Sequence, residues 1–310
     1  MIVEPSPVSD LISVVIPTHN RRDRLVGAIA SAKAQTWPSL EIVVVDDASS
    51  DGTAEYLQRL AVEDSAIRFV RNKAPLGGGG ARNAGLAAAS GELIAFLDDD
   101  DEWLPDKLAC QHALLVADPA AAAVSCSFLI AASGGRDVVT TLHPPADEQS
   151  LLWSNHLGGA SMCLAARSTL ISFGGFDPKL RSGQDWDLWL KLAERGRILV
   201  CSEPLVRYMP HEGSRITGNR VGEYRGRRRI HMRYRQRMAA DTRRHSLCEL
   251  AFLRKVALRS TWWERLGGLA WVVACARGRD RLRFPWRLAR MARTGETRGS
   301  AIAGRVGATP

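Results

Sequence analysis

Residues 76–103 read LGGGGARNAGLAAASGELIAFLDDDDEW, and their order decides the fold. A run of small residues opened by glycines predicts a helix over 78–89, the apolar stretch 93–97 predicts a buried strand, and four aspartates follow at once. The same alternation precedes this stretch. SVVIP at 13–17 is β-branched and apolar on both faces, as a central parallel strand requires; 18–20 is a loop, and 24–34 is a helix with Leu25, Ile29 and Ala32 on one side. EIVVV at 41–45 is a second buried strand, 46–52 a polar turn, 53–60 a helix and 67–70 a short third strand. Strands alternating with helices predict an α/β fold with a mostly parallel central sheet and helices on both faces. Ligands collect at the carboxyl ends of strands in such sheets. Residues 18–21, Asp46, Asp47 and 98–101 are therefore expected to converge on one crevice.

Beyond Pro105 the sequence predicts a helix over 106–117, a strand over 124–131, a loop at Pro144-Pro145, a strand over 158–164 and a short helix over 168–173. A GGFD turn at 174–177, an amphipathic helix over 185–194 stopped by Gly196, and a strand over 198–208 complete this part. There is no internal repeat.

Hydrophobic residues make up 45% of the 310 positions and charged ones 24%, a globular composition that excludes a disordered chain. Charge is unevenly placed. Up to Pro210 there are 18 Lys and Arg against 26 Asp and Glu, net −8, and from His211 onward 24 against 7, net +17. The chain is therefore expected to divide into an acidic domain, 1–215, and a basic helical region, 216–310, with a mobile end. In the basic region YRGRRRIHMRYRQR at 224–237, then Phe252, Leu253, Val256 and Ala257 at helical spacing, lead into Trp262, Trp263, Trp271 and Trp286 among arginines. That pattern suits an anionic membrane surface better than a nucleic acid, with a solvated helical extension as the plainer alternative.

The six cysteines have neither CxxC nor zinc spacing and read as buried thiols in a reducing compartment. The start MIVEPSPVSD lacks the basic and apolar stretches of a leader, and the longest apolar run of the tail, 266–276, is about half of the ~20 residues a spanning helix needs. A cytoplasmic location follows as the expectation, with peripheral attachment to the membrane.

Four adjacent carboxylates cannot all ionise cheaply when partly buried, because like charges raise one another's pKa. A divalent cation relieves that conflict, and hard oxygen ligands suit Mg²⁺ or Mn²⁺. On an extended segment alternate side chains point the same way, Asp98 and Asp100 toward one site and Asp99 and Asp101 toward another. An acidic turn capping the helix after Pro105 is the competing explanation. The glycines match neither known phosphate loop: no placement satisfies G-x-G-x-x-G, and after Gly80 and Gly85 the Walker Lys and Ser/Thr are replaced by Leu86 and Ala87. What remains is a glycine-rich helix start that favours an anion, with Arg82 near to pair with it.

Five motifs in order, SVVIPTHNR (13–21), EIVVVDDASSDGT (41–53), the stretch 76–103, GGFDPKL (174–180) and GQDWDLWLKLAERG (183–196), resemble the family 2 glycosyltransferases over about residues 13–217. The resemblance implies an A-type glycosyltransferase fold, that of nucleotide-diphospho-sugar transferases. It also implies a nucleotide-activated donor, most often UDP-linked, a divalent metal, inversion at the anomeric carbon, and a glycan or lipid-linked acceptor in polysaccharide or cell-envelope biosynthesis. By motif position Pro17, Thr18, His19 and Asn20 would hold the nucleoside, with Asp46 accepting from a base N–H and Asp47 beside it. Arg82 would lie near the diphosphate. The D-x-D pair falls on Asp98 and Asp100, Asp100 as direct metal ligand and Asp98 as a ribose, water-mediated or metal contact; Asp99 belongs to the same donor-binding set, and Asp101 could substitute. Asp185 takes the place of the catalytic base, although Gln184 departs from the usual Glu before it; a helix start would lower its pKa, so burial or Asp187 must offset this. Trp186, Asp187 and Trp189 read as packing and acceptor-wall residues, and His211 as completing the metal or diphosphate site. A nucleotidyltransferase acting on sugar phosphates and a non-catalytic sugar-nucleotide-binding protein are the alternatives; PTHNRRDR lacks the glycine-rich loop of the former.

Overall fold

The computed structural model describes residues 11–132, 136–143, 147–209 and 219–257. The expectations placed on residues 1–10, on Pro144-Pro145, on His211 and on the chain beyond 257 lie outside them, the tail tryptophans included. The chain forms two compact units, one of Met1–Glu148, His156–Pro178 and Asp185–Pro210, the other of Gln149–Asn155, Lys179–Gln184 and His211–Pro310.

The first unit is built on one sheet. In chain order its elements begin β1 (Ile12–Thr18), α1 (Arg22–Lys33), β2 (Leu40–Asp46), α2 (Thr53–Glu63), β3 (Ile67–Arg71), α3 (Gly77–Ala88) and β4 (Leu93–Phe96). There follow β5 (Asp101–Trp103), α4 (Lys107–Ala117), β6 (Ala121–Ile130), β7 (Val138–Thr140), α5 (Glu148–Trp153), β8 (Leu164–Ala166), α6 (Arg167–Ser172), α7 (Gln184–Ala193) and β9 (Arg197–Tyr208), with α5 belonging from Gln149 onward to the second unit. The strands lie in the order β3-β2-β1-β4-β8-β6-β9-β5, with β7 on β6. The half β3-β2-β1-β4 is parallel, as is the long β6–β9 pairing, whereas β8, β5 and β7 join antiparallel. The α/β expectation thus holds. All seven residues of β1 are buried, which is why SVVIP carries no polar face.

Two glycines set how closely α3 approaches this sheet. A methyl at Gly85 would overlap Val15 Cγ1 and sit 3.0 Å from Val45 Cγ2, so the helix backbone lies directly on β1 and β2. Ala would add about 1 kcal/mol of helix propensity, but both valines are fully buried and β-branched and have no rotamer to retreat to. Gly85→Ala is expected to be net destabilising by about 1–2 kcal/mol. A thermal melt checks this, and an unchanged or raised midpoint would contradict the close packing. A methyl at Gly91 would be equally confined, 2.5 Å from Leu11 O and 2.8 Å from Ser13 N. Beside it the buried Glu41 accepts from Ser13 Oγ and Ser90 N at 2.5 Å each and from Arg68 Nη1 at 3.1 Å. Burial opposes its charge, yet these donors hold its carboxyl below the ordinary range.

Three local expectations change. The region 158–164, read as a strand, makes a 3-10 turn at Ala160–Met162 before β8, because Gly158 adopts φ +84° and the ladder pairs only from residue 164. Asp101 opens β5, paired antiparallel with Tyr208 of β9, where a loop was expected. The short β7 and α5 have no expected counterpart, since three to six residues carry too little periodicity to read. The five described cysteines are free thiols.

In the second unit α8 (Arg220–Tyr234) and α9 (Ala240–Ala257) pack together, and Asn219 caps α8 by accepting from Gly222 N. Ile230, Tyr234, Met238, Cys248 and Phe252 are buried, Arg227 pairs with Glu249, and the Trp153 ring stacks on His245 at 4.0 Å. Among the described residues no helix is long and apolar enough to cross a membrane.

Candidate active site

The carboxyl ends of β1, β2 and β4 carry loops that bond to one another, as expected. After β1, Thr18 Oγ1 donates to Asp99 Oδ2 at 2.8 Å, and Arg21 Nη1 reaches Asp99 Oδ1 and Asp100 Oδ2 at 3.0 Å each. His19 Nδ1 donates to Asp47 O at 2.7 Å, and Asn20 accepts from Ser50 N at 2.7 Å. Asn20 sits at φ 54°, a left-handed conformation that Asn tolerates better than most residues. Pro17 and Thr18 lie in register with Val45 and Asp46 on β2.

Asp46 and Asp47 are both buried and both occupied within the chain. Asp46 Oδ1 accepts from Ser49 N at 2.8 Å while Oδ2 lies 3.3 Å from Arg71 Nε. Asp47 Oδ1 accepts from Asn72 Nδ2 at 2.7 Å and Leu76 N at 2.8 Å, and its Oδ2 from Gly77 N at 2.8 Å. Asp47 thus sits at the glycine-rich helix start: the amides of Leu76 and Gly77, which sequence reasoning offered to a ligand, are taken by the chain's own side chain.

Arg82, one turn into α3 and almost fully buried, pairs with Asp98 and lies over the Phe176 ring at 5.3 Å. Asn83 clamps that ring's backbone, donating to Phe176 O and accepting from Phe176 N at 2.8 Å each, which brings the GGFD turn against α3. Burial works against the Arg82 charge, but Asp98, Asp185 and Asp99 more than restore it.

The four aspartates do not alternate. Asp101 N donates to Asp98 O at 3.1 Å, so the segment is a turn and the extended-chain expectation fails. Asp98, Asp100 and Asp101 present oxygens all within 4.8 Å of one another, whereas Asp99 turns away to Thr18 and Arg21. Asp101 accepts from Ser161 Oγ at 2.5 Å through Oδ2, and its buried Oδ1 makes no hydrogen bond. Desolvation, with Asp98 and Asp100 adding, raises its carboxyl well above the ordinary range against the Ser161 hydroxyl and Met209 amide; burial brings Asp99 to about 6. Three crowded carboxylates with an orphaned buried oxygen are a donor set that fits a hard divalent cation.

Asp185 opens α7 close enough to Arg82 and Asp98 for each to act on its charge. Burial raises its carboxyl pKa, and the Trp186 amide and Arg82 pull it back only in part, so in the contest posed by the helix start burial wins. Asp187 does not assist, being paired with Lys191 at 2.9 Å. Trp189 is fully buried with its indole donating to Gly158 O at 3.1 Å, which leaves it a packing role and no wall to offer an acceptor. Sequence reasoning placed Arg21 in the crevice without giving it a partner, and it missed Ser161. Arg21 ends the first motif; Ser161 carries no sequence signal.

A mostly parallel sheet with an acidic cluster and a buried arginine beside its parallel strand ends is the arrangement of the A-type glycosyltransferase fold. The family described as Glycosyl transferase family 2 matches residues 13–171, and the chain belongs to that family. It is a glycosyltransferase, which sets aside the nucleotidyltransferase reading. TuaG of Bacillus subtilis, a glycosyltransferase named for teichuronic acid biosynthesis, is 32% identical over 188 residues, 60% of this chain and 73% of TuaG. The Escherichia coli enzyme WfaP, named as a UDP-Glc:α-D-GlcNAc-diphosphoundecaprenol β-1,3-glucosyltransferase, is 37% identical over 102 residues, 33% of this chain and 40% of its own length. The structure of S. aureus TarS 1-349 in complex with UDP-GlcNAc superimposes with a TM-score of 0.64 at 18% identity, covering 92% of each chain, a likeness of fold.

Proposed function

We propose that the protein moves a sugar from a nucleoside diphosphate donor, UDP-linked in the first instance, to a hydroxyl of a glycan or lipid-linked acceptor, with inversion and with a divalent metal, in polysaccharide or cell-envelope biosynthesis. The observation that carries this reading is the meeting of Asp98, Asp100 and Asp101 with Arg82 and Asp185, which come from separate segments. The names of TuaG and WfaP support the choice of pathway and acceptor.

In this reading Pro17, Thr18, His19 and Asn20, with Asp46, Asp47 and Asp99 behind them, receive the nucleoside. Asp98 and Asp100 would hold Mg²⁺ or Mn²⁺, which when bound would supply positive charge where the diphosphate leaves. Arg82 contributes fixed positive potential at the same end. Asp185 takes the proton of the acceptor hydroxyl while that oxygen bonds to the anomeric carbon. The bond from that carbon to the donor phosphate oxygen breaks on the opposite face, and nucleoside diphosphate departs. Residues 1–215 form the catalytic domain, and the basic region 216–310 meets the anionic cytoplasmic face of the membrane. The exposed Arg225, Arg228 and Arg235 support that attachment, since each cation near such a surface is worth about 1 kcal/mol.

The test is release of nucleoside diphosphate from UDP-, dTDP- and GDP-sugars, with lipid-linked and glycan acceptors, followed by NMR of the product. Acceptor-dependent release with an inverted anomeric linkage is expected; a retained linkage would overturn the single displacement.

A further inference from the structure

The acidic cluster rests on a buried polar scaffold that the reaction scheme does not use. Ser161, in the 3-10 turn before β8, has no exposed surface, yet its one hydroxyl serves two partners: it accepts from Asp98 N at 3.1 Å and donates to Asp101 Oδ2 at 2.5 Å. The latter is the length of a charge-assisted hydrogen bond. The turn carrying Ser161 is itself held from beneath. Trp103 Nε1 donates to Ser161 O at 3.0 Å, and Gln111 Nε2 to Met162 O at 2.7 Å. Gln111 in turn accepts from the fully buried Lys107 at 2.7 Å, whose ammonium lies 4.0 Å over the Trp103 ring. Of the groups just named one oxygen is left over: Asp101, 4% exposed, has Oδ2 tied down and Oδ1 without a hydrogen bond, in the cluster that it shares with Asp98 and Asp100. An unpartnered carboxylate oxygen in such a place costs stability unless something cationic meets it.

We propose that Ser161 is a positioning residue: by holding Asp101 Oδ2 and the Asp98 amide together it fixes the turn so that Asp101 Oδ1 becomes a third carboxylate oxygen for the divalent cation. The inference rests on the metal reading above and adds two residues to it, Asp101 as a ligand and Ser161 as the group that orients it. A hydroxyl that aims a ligand commonly changes metal affinity by 10–100-fold when removed, whereas a hydroxyl that only packs changes the melting point and leaves the affinity of the folded protein alone.

The experiment titrates Mn²⁺ alone into the full chain and follows the free ion by electron paramagnetic resonance, below the melting point of each variant. Ser161→Ala is expected to weaken Mn²⁺ binding by at least about tenfold, with Ser161→Thr, which keeps the hydroxyl, recovering most of it. Asp101→Asn should weaken binding at least as much. Trp103→Phe, which loosens the turn without touching the cluster, should give a smaller loss and covers the case in which Ser161→Ala does not fold. If the wild type binds Mn²⁺ and Ser161→Ala or Trp103→Phe binds it equally well, the positioning role is overturned while the metal reading stands. If the wild type does not bind Mn²⁺, the metal reading falls and takes this inference with it.

Discussion

Asp185→Asn should leave the donor bound and stop the transfer. Asn keeps the shape and can still accept from the Trp186 amide, but it cannot take a proton, so turnover is expected to fall by about 10²–10⁴ with donor affinity little changed. Stability gives an internal control. A carboxyl whose pKa is raised in the folded state, as burial raises that of Asp185, contributes stability that is complete below its unfolded pKa and is lost as pH rises through the folded value. At neutral pH the ionised group therefore costs stability, and the neutral Asn variant should melt no lower than the wild type. The same shift places the acid limb of the wild-type pH–rate profile above the ordinary carboxylate range, because the base works only when deprotonated. Isothermal titration with UDP, a melt and a steady-state assay decide the matter together. Unimpaired turnover would remove Asp185 from the base role.

Asp100→Ala should be the other severe loss. Asp100 shares Arg21 with Asp99, which also holds Thr18, so the loop keeps its main tether when Asp100 is cut. What disappears is one of three clustered carboxylates. A metal ion contributes several kcal/mol of charge stabilisation to a leaving phosphate, and its loss is expected to lower turnover by at least about a hundredfold. The measurement is rate against Mn²⁺ concentration for both proteins, with a chelator arm. Full wild-type activity in chelator would refute any role for metal.

Much of the parallel half of the sheet and its loop edge was legible without coordinates. The alternation of apolar runs with helical spacing marks strands and helices because each must bury a face, and the resulting parallel order β3-β2-β1-β4 brings polar loops to one edge whatever else the chain does. What escaped was the pairing between distant segments. β5 is a strand only because β9 lies beside it, and the 158–164 region turns because β4 and β6 accept a ladder from residue 164 onward. No local signal encodes either partner.

The roles of charged groups divide the same way. That Asp46, Asp47, Asp98, Asp100 and Asp185 are the candidate acids follows from their residue types and motif positions. That Asp47 spends its carboxylate on the start of α3, that Asp99 faces Thr18 and Arg21, and that Asp101 joins Asp98 and Asp100 follows only from the turn at 98–101 and the folded neighbours. The sequence by itself determined the α/β plan, the family and the acids available, because those depend on periodicity and motif order. The tertiary structure alone decided which oxygens remain open and which carboxyl is pushed toward a working pKa, since burial, pairing and desolvation act through space between segments that the chain order keeps apart.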